Sequence, residues 1–343
     1  MIYVVGQFPP PVHGFSLINK LMTEVIERKF NCVVKFDVAP RFLFGPLIEF
    51  FRFFRFILLD RTDKTLYLAF SGGLRQVLDG LFLFVALVRG ARIIVHHHSF
   101  YYLNKKILYS RLVLALAKNA DHVVLCRNMA DLLIANYGIG FGNIKVLSNS
   151  YFIDPPSVLR HKKDSVTLGF LSNITEEKGI FVFFKILHAL NSRGISVNAL
   201  VAGPVDVAIK TKFEVELSKL KNVQYIGPVY GSDKVSFFSS VDALVFPTLY
   251  KNEAEPVTIW ESFSAGVPVF AFARGCISTV VDNGVGGVAS SFEGILDLIS
   301  NYVESVSTSP GFFDELSNNV RRRYRDSKIS GDVVINELFK KNA

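Results

Sequence analysis

Ten short apolar runs recur along the 343-residue chain, separated by longer stretches with helical periodicity. They occupy residues 2–5, 65–69, 92–96, 122–126 and 144–147, then 167–171, 197–202, 223–226, 243–246 and 267–271. A strand that is apolar throughout needs cover on both faces, which calls for helices above and below a parallel sheet. Intervening pieces such as residues 105–119 and 180–191 carry the periodicity that covering helices require. The alternation predicts an α/β fold with doubly wound sheets. A chain of this length exceeds one comfortable core, so two domains are expected. Asp154-Pro155-Pro156, followed by the polar residues 160–165, reads as a linker. The expected organisation is two facing Rossmann-like domains, 1–155 and 156–325, with a ligand cleft along the carboxyl ends of their strands. A closing helix over 326–343 is expected to pack back on the first domain.

Half of the residues are hydrophobic and 20% are charged, which argues against a disordered chain. Cys32, Cys126 and Cys276 are too few and too far apart for a disulfide framework or a thiolate zinc site, and suit a reducing cytoplasm. The opening MIYVVGQFPPPVHG lacks the basic start and long apolar core of a secretion signal. The formal charge of +8 belongs wholly to the first half. Residues 1–155 hold 18 Lys/Arg against 10 Asp/Glu, and residues 156–343 hold 20 against 20. A basic half fits an anionic partner such as a membrane surface or a lipid diphosphate. Nucleic acid is not expected, because no binding module or basic–aromatic groove is visible. Residues 47–59, LIEFFRFFRFILL, place Glu49, Arg52 and Arg55 three apart on one helical stripe. Charges this frequent argue against a spanning helix. They leave a core helix with one solvated stripe, the preferred reading, or an interfacial helix with arginines at headgroup level. Residues 81–88, LFLFVALV, read as a buried helix.

Residues 252–268, NEAEPVTIWESFSAGVP, follow the strand-like 243–247 and place Glu253 and Glu261 on either side of Pro256, a residue suited to opening a helix. Backbone amides at such a helix start face anions, and carboxylates accept hydrogen bonds from sugar hydroxyls. Acids near a helix start also simply favour its dipole, so this segment alone leaves both readings open.

Other loops bear on the choice. In GQFPPPVHG, residues 6–14, Gly14 lets the backbone approach a phosphate, although the spacing is not that of a dinucleotide fingerprint. His96-His97-His98 end a strand with His96 and His98 on one face and His97 on the other. His98 lies nearest the expected cleft, and a zinc pair here lacks a second pair of ligands. In SNITEEKG, residues 172–179, Lys178 sits where a helix starts, a place hostile to a cation unless a diphosphate reverses the field. Neutralisation of Lys178 by Glu176 and Glu177 is the plainer alternative. Arg274-Gly275-Cys276 reads as a surface turn.

Taken in order, LGFLSNITEEKG, LVAGP, VQYIGPVYGSDKV and DALVFPTLYKNEAEPVTIWESFSAGVPV resemble family 4 glycosyltransferases of the GT-B fold, most strongly over residues 167–287. The family's two glutamates, seven residues apart, match Glu253 and Glu261. The resemblance implies a retaining hexosyltransferase that takes a sugar from a nucleotide-diphosphate donor, with no cofactor and no catalytic metal. It implies Glu253, Lys178 and His98 as catalytic residues. Donor contacts are implied at Gly14, Asn173, Lys178, Val229, Glu253, Val257, Thr258 and Glu261. Glu253 would meet the sugar hydroxyls, Glu261 the ribose, Lys178 the diphosphate, and the loop around Val229 the base. Asn149 matches an asparagine that commonly precedes the family's linker, where a junction role is expected. The family usually carries arginine where this chain has Asn173, which loads Lys178 more heavily or shifts the role to Arg274. The implied setting is cell-surface polysaccharide synthesis at the inner face of the cytoplasmic membrane, with a lipid-linked saccharide acceptor. The rivals are a nucleotide-sugar 2-epimerase of the same architecture and a non-catalytic scaffold of a polysaccharide-assembly complex.

Overall fold

A computed structural model describes residues 1–40, 44–70, 72–156 and 165–340. Of the expected linker, residues 157–164 lie outside the described residues. The chain divides into unit 1, Met1–Phe152 with Ile329–Ala343, and unit 2, Ile153–Lys328.

Unit 1 opens with β1 (Ile2–Gly6), α1 (Gly14–Lys29), β2 (Val33–Asp37), α2 (Gly45–Leu59), β3 (Thr65–Phe70) and α3 (Arg75–Val88). It continues with β4 (Arg92–His97), α4 (Tyr101–Asn104), α5 (Leu108–Leu116), β5 (Asp121–Val124), α6 (Arg127–Tyr137) and β6 (Ile144–Val146). Its six strands are all parallel in the order β2-β1-β3-β4-β5-β6. Strands β1, β3 and β4 are buried almost throughout, as apolar runs covered on both faces must be.

Unit 2 holds β7 (Thr167–Leu171), α7 (Ile180–Ser192), β8 (Asn198–Ala202), α8 (Lys210–Ser218), β9 (Val223–Tyr225) and α9 (Ser232–Ser240). Then come β10 (Ala243–Phe246), α10 (Val257–Ser264), β11 (Val269–Phe272), α11 (Ile277–Val280), β12 (Gly286–Ala289), α12 (Phe292–Thr308) and α13 (Phe312–Leu338). This sheet is also parallel, in the order β12-β11-β10-β7-β8-β9. Two apolar clusters make its core, one containing Phe183, Phe184 and Phe213, the other Phe237, Trp260 and Phe263.

Both orders are doubly wound: the chain works outward from a central strand, then returns to build the other side. Strand order therefore reverses between β1 and β3 in unit 1 and between β7 and β10 in unit 2. In open α/β sheets the loops beyond the carboxyl ends of strands at such a reversal are where ligands bind, because the two loops part there in opposite directions.

Three expectations need correction. The closing helix does not begin at 326; α13 starts at Phe312 and runs unbroken for 27 residues from unit 2 into unit 1. Residues 81–88 are not a buried helix, since Leu81, Phe84, Leu87 and Val88 are exposed while Phe82, Leu83 and Ala86 are buried. An all-apolar sequence carries no polar stripe to mark the outer side of a helix, so its burial was not readable. Residues 47–59 bury only Phe53 and Ile57 of α2, and most of the outer surface is apolar rather than one charged stripe.

Candidate functional site

In unit 2 the reversal point is occupied by the loops after β7 and β10. Gly179 caps α7 in the left-handed region at φ +85°, and a Cβ there would meet the Pro247 carbonyl oxygen at 2.0 Å. Only glycine allows the two loops so close. The approach is held by the Leu249 amide, which donates to the Glu177 carbonyl at 2.8 Å. Lys178 thereby reaches across, and its Nζ lies 2.5 Å from Glu253 Oε2. Thr248 Oγ1 donates to the same oxygen at 3.2 Å. The ammonium also lies 5.4 Å from the Tyr250 ring centre and 5.9 Å from that of Phe246. Glu253 is buried and Lys178 about a quarter exposed, so this is a charge pair held partly out of water with one face open. The pairing with Glu176 or Glu177 is not formed; Glu176 pairs with Lys212 instead.

The Glu253 backbone is fixed by a third loop. Gly275, at φ +49°, would drive a Cβ to within 1.9 Å of the Glu253 carbonyl oxygen, and the Cys276 amide donates to the Ala254 carbonyl at 2.9 Å. The turn at 274–276, expected to be plain surface, thus buttresses the acid loop. Arg274 Nε is buried with no hydrogen-bond partner, while its Nη1 donates to the Ala273 carbonyl.

Pro256 is the N-cap of α10, one position before the expected first-turn site, so Val257 and Thr258 form the first turn and their amides lack intrahelical acceptors. One turn on, Glu261 Oε1 accepts from Lys234 Nζ of α9 at 2.7 Å, whereas Glu261 Oε2 is buried without a partner. A buried carboxylate oxygen with no donor is costly, and a ligand hydroxyl would satisfy it. Val229 does not offer its side chain, which is buried against the core beside Phe237; the main chain of its loop is what remains for a ligand. Asn173 is exposed and brings no charge to the loop.

In unit 1, Gly14 is the first residue of α1. The helix is capped by His13, whose Nδ1 accepts from the Ser16 amide at 3.2 Å while Ser16 Oγ accepts from the His13 amide at 3.1 Å. His98 follows β4; its ring packs edge-on to Phe15 at 5.0 Å and lies 4.0 Å from His96. Its Nε2 is buried and unpartnered, and burial with the nearby Arg75 charge pushes the ring down to about 3. His98 is therefore neutral at pH 7. Asn149 is buried beside Ser150.

The other two histidines of the triplet are structural. His122 Nε2 faces the Ala117 carbonyl at 2.9 Å, which can only accept, so Nε2 carries the proton and Nδ1 is an acceptor. His97 Nε2 donates to that Nδ1 at 2.9 Å, and His97 Nδ1 accepts from the Tyr102 hydroxyl at 2.6 Å. His96 Nδ1 and the Tyr67 hydroxyl are 2.6 Å apart. The chain of bonds needs His122 neutral, with Nδ1 as acceptor, and burial holds His96, His97 and His122 well below their ordinary value. With their nitrogens committed to protein partners, His97 and His122 are not metal ligands. Among the described residues no group of three or more His, Cys, Asp or Glu could hold a metal ion.

Sequence reasoning missed Lys234, Thr248, Arg75 and Asp79. Lys234 lies inside the quoted VQYIGPVYGSDKV, yet nothing in its spacing points to Glu261, 27 residues away. Arg75 Nε lies 3.6 Å from Asp79 Oδ1, and burial pushes that carboxyl up to about 6 despite the arginine.

Comparison with known proteins places this geometry. Residues 155–325 match the family model described as glycosyl transferases group 1. A capsular polysaccharide biosynthesis glycosyltransferase, CapM of Staphylococcus aureus, is 25% identical over 234 residues, 66% of this chain. The chain spans 60% of the length of that curated relative. Among solved structures, Anabaena Alr3699/HepE in complex with UDP aligns with a TM-score of 0.72 at 13% identity, over 98% of each chain. A glycosyltransferase from Rickettsia africae ESF-5 aligns at 0.71 and 15%, over 100% of this chain and 99% of the other. The lipopolysaccharide outer core galactosyltransferase WaaB, in its apo form, aligns at 0.70 and 13%, over 98% of this chain and 99% of the other. These likenesses show the GT-B fold, two Rossmann-like doubly wound units. The match to the family model described as glycosyl transferases group 1 and the switch-point site both fall in unit 2.

Proposed function

We propose that the chain is a retaining glycosyltransferase that moves a sugar, of hexose type, from a nucleoside-diphosphate donor to a saccharide acceptor in surface-polysaccharide synthesis. The observation that carries this reading is the Lys178–Glu253 pair at the unit 2 switch point: a partly buried cation and a carboxylate, joined at 2.5 Å, beside helix amides with free donors. A diphosphate suits the ammonium and the first-turn amides of α10. Sugar hydroxyls suit Glu253, and a ribose hydroxyl suits the unpartnered Glu261 oxygen. Val257, Thr258 and the main chain around Val229 complete the donor contacts. In this reading Gly14 serves the diphosphate and His98, as a neutral ring, donates or accepts a hydrogen bond at the reacting sugar. Asn173 adds no charge, so the anion rests on Lys178 and helix amides.

The step balances simply. The bond from the anomeric carbon to the diphosphate oxygen breaks, and a bond from that carbon to the acceptor hydroxyl oxygen forms on the same face. The hydroxyl proton passes to the departing phosphate, so the reaction needs no protein base. Lys178 stabilises negative charge as it grows on the leaving group, the kind of preorganised donor whose removal costs a few kcal/mol of barrier. The relatives support the setting: CapM is described as a capsular polysaccharide enzyme, and HepE was solved with UDP, which makes UDP-sugars the first donors to try. A lipid-linked acceptor at the inner membrane face fits the basic unit 1; among the described residues no helix is long and apolar enough to cross a membrane.

The test is incubation of the full chain with a panel of nucleoside-diphosphate sugars, with and without polyprenyl-diphosphate saccharides. The expected result is release of nucleoside diphosphate that rises with acceptor, and a product whose anomeric configuration by NMR equals that of the donor. An isomerised donor formed without acceptor would point to the epimerase instead. No binding or turnover of any donor would leave the scaffold reading.

A further inference from the structure

Unit 1 carries an unusual outer layer. The crossovers β2→β3, β3→β4 and β4→β5 all advance the same way along the sheet, so right-handed connections put α2, α3 and α5 on one face. The three helices are packed side by side. Phe82 of α3 lies 5.3 Å from Phe50 and 5.0 Å from Phe53 of α2, ring centre to ring centre. Gly80 of α3 lets α5 approach so closely that a Cβ there would meet Val113 at 2.9 Å. Buried Ser110 and Val113 of α5 face Gln76 and Gly80 of α3, so the three helices bury residues against one another as well as under the sheet, and other residues are left exposed.

That exposed side should be polar, and it is not. On α2, Phe44, Leu47, Phe51, Phe54 and Leu58 are exposed, spaced alternately three and four apart. On α3 the same spacing exposes Leu74, Val77, Leu81, Phe84 and Val88. On α5, Leu108, Leu112 and Leu116 are exposed one turn apart. Spacings of three and four keep each series on a single face of its helix. Three parallel apolar stripes on adjacent helices far exceed the scattered exposed leucines of an ordinary surface, and a continuous patch of this kind marks an interaction site.

The charges around the stripes choose the occupant. Residues 44–118 hold 11 Lys/Arg against 4 Asp/Glu, a net of +7 out of the +8 of the whole chain. Of those acids, Asp79 is buried and Glu49 is paired with Arg52. Arg55, Lys105, Lys106 and Arg111 are exposed on or beside these helices. An apolar face rimmed by cations matches a bilayer surface, with acyl chains beneath and anionic headgroups around. We propose that the outer face of α2, α3 and α5 is a lipid-docking platform that seats unit 1 on an anionic membrane. This deepens the proposed function by naming the surface on which a lipid-borne acceptor would be met, but the docking itself requires no transfer chemistry.

The experiment is flotation of the full chain with vesicles of phosphatidylcholine alone or with about 30% phosphatidylglycerol, a surface on which each nearby cation contributes on the order of 1 kcal/mol. The variant Phe51→Glu/Phe84→Glu/Leu112→Glu changes one exposed position on each helix, and Lys178→Ala serves as a control outside the platform. Wild type and Lys178→Ala should float with anionic vesicles and be released by salt. The triple variant should lose at least about tenfold of its bound fraction, given the apolar area removed and charge reversed at the surface. Equal binding by the triple variant, or no flotation of wild type, overturns the proposal. So does a wild-type dimer in vesicle-free solution that the triple variant turns into a monomer, since a second copy would then cover the face. Failure of the sugar-transfer reading alone would leave flotation unchanged.

Discussion

Lys178→Ala lowers turnover about a hundredfold, as loss of one preorganised anion-stabilising donor does. The side chain is fixed before any donor arrives: its ammonium lies 2.5 Å from Glu253 Oε2 and faces the Tyr250 ring. No reorganisation is then needed as charge develops on the leaving phosphate. Its removal has a second consequence, because Glu253 is left buried with Thr248 as its side-chain donor among the described residues. A stranded carboxylate can weaken the fold and mimic a catalytic loss. The double variant Lys178→Ala/Glu253→Gln isolates the stability effect: the neutral amide relieves the stranded charge and raises the denaturation midpoint above that of Lys178→Ala, while turnover stays low because the sugar contact at Glu253 is changed as well. Recovery of turnover in the double variant would assign Lys178 a structural role only. Near-normal turnover in a folded Lys178→Ala protein would remove the residue from the mechanism.

A second large effect is loss of unit 1 stability in mild acid. His96, His97, His98 and His122 are all held neutral, His98 at about 3 and His122 at about 4, with burial the main cause in each. In the unfolded chain each takes a proton near pH 6.5. Their folded values are depressed, so the unfolded state binds more protons, and stability is present above pH 6.5 and lost as pH falls towards 4. Asp79 works the other way. Its folded value is raised to about 6, so between pH 6 and 4 the folded state holds the extra proton. Four protons against one leave about three near pH 5.5, or roughly 4 kcal/mol of stability per pH unit. Chemical unfolding followed by far-UV circular dichroism at pH 7.5, 6.5 and 5.5 reads the slope. His122→Gln should flatten it by about one proton. Trp260, the one tryptophan, lies in the unit 2 core and should report a transition with much weaker pH dependence. A flat unit 1 profile from pH 7 to 5.5 would contradict the neutral-histidine network.

How far the sequence alone reached follows from which forces act locally. Among the described residues, ten of the twelve strands announce themselves as apolar runs, and β7 and β10 are bounded to the residue, because buried parallel strands are apolar on both sides. The two strands passed over are edge strands. In β2, VVKFD, Lys35 is exposed and the half-buried Asp37 accepts from the Phe8 and Ala39 amides, and in β12, GGVA, half the positions are glycine. In β12 Ala289 and Val288 pack against the two apolar clusters, but the glycines add no apolar side chain, so neither strand carries a continuous apolar signal. At the site, the spacing of Glu253 and Glu261 and the place of Lys178 at a helix start single these residues out in the sequence. Their partners were not legible: Lys178 meets Glu253 from 75 positions away, across a contact that depends on glycine at 179. The outer faces of α2 and α3 were misjudged for a related reason. Apolar composition predicts burial only where something is present to bury against, and the sequence does not say which surface a helix turns outward.

The central claim is that unit 2 binds a nucleoside diphosphate through Lys178 and Glu261. Calorimetric titration of UDP and GDP into the wild type and into Glu261→Ala tests it most directly, since Glu261 touches neither the reacting sugar nor Lys178 in the proposed scheme. The account predicts saturable binding of at least one nucleotide by the wild type. It predicts about a tenfold weaker dissociation constant in Glu261→Ala, the cost of losing one hydrogen bond to a charged group. Lack of binding by the wild type, or unchanged affinity in Glu261→Ala with its fold intact, would contradict the assignment of this site.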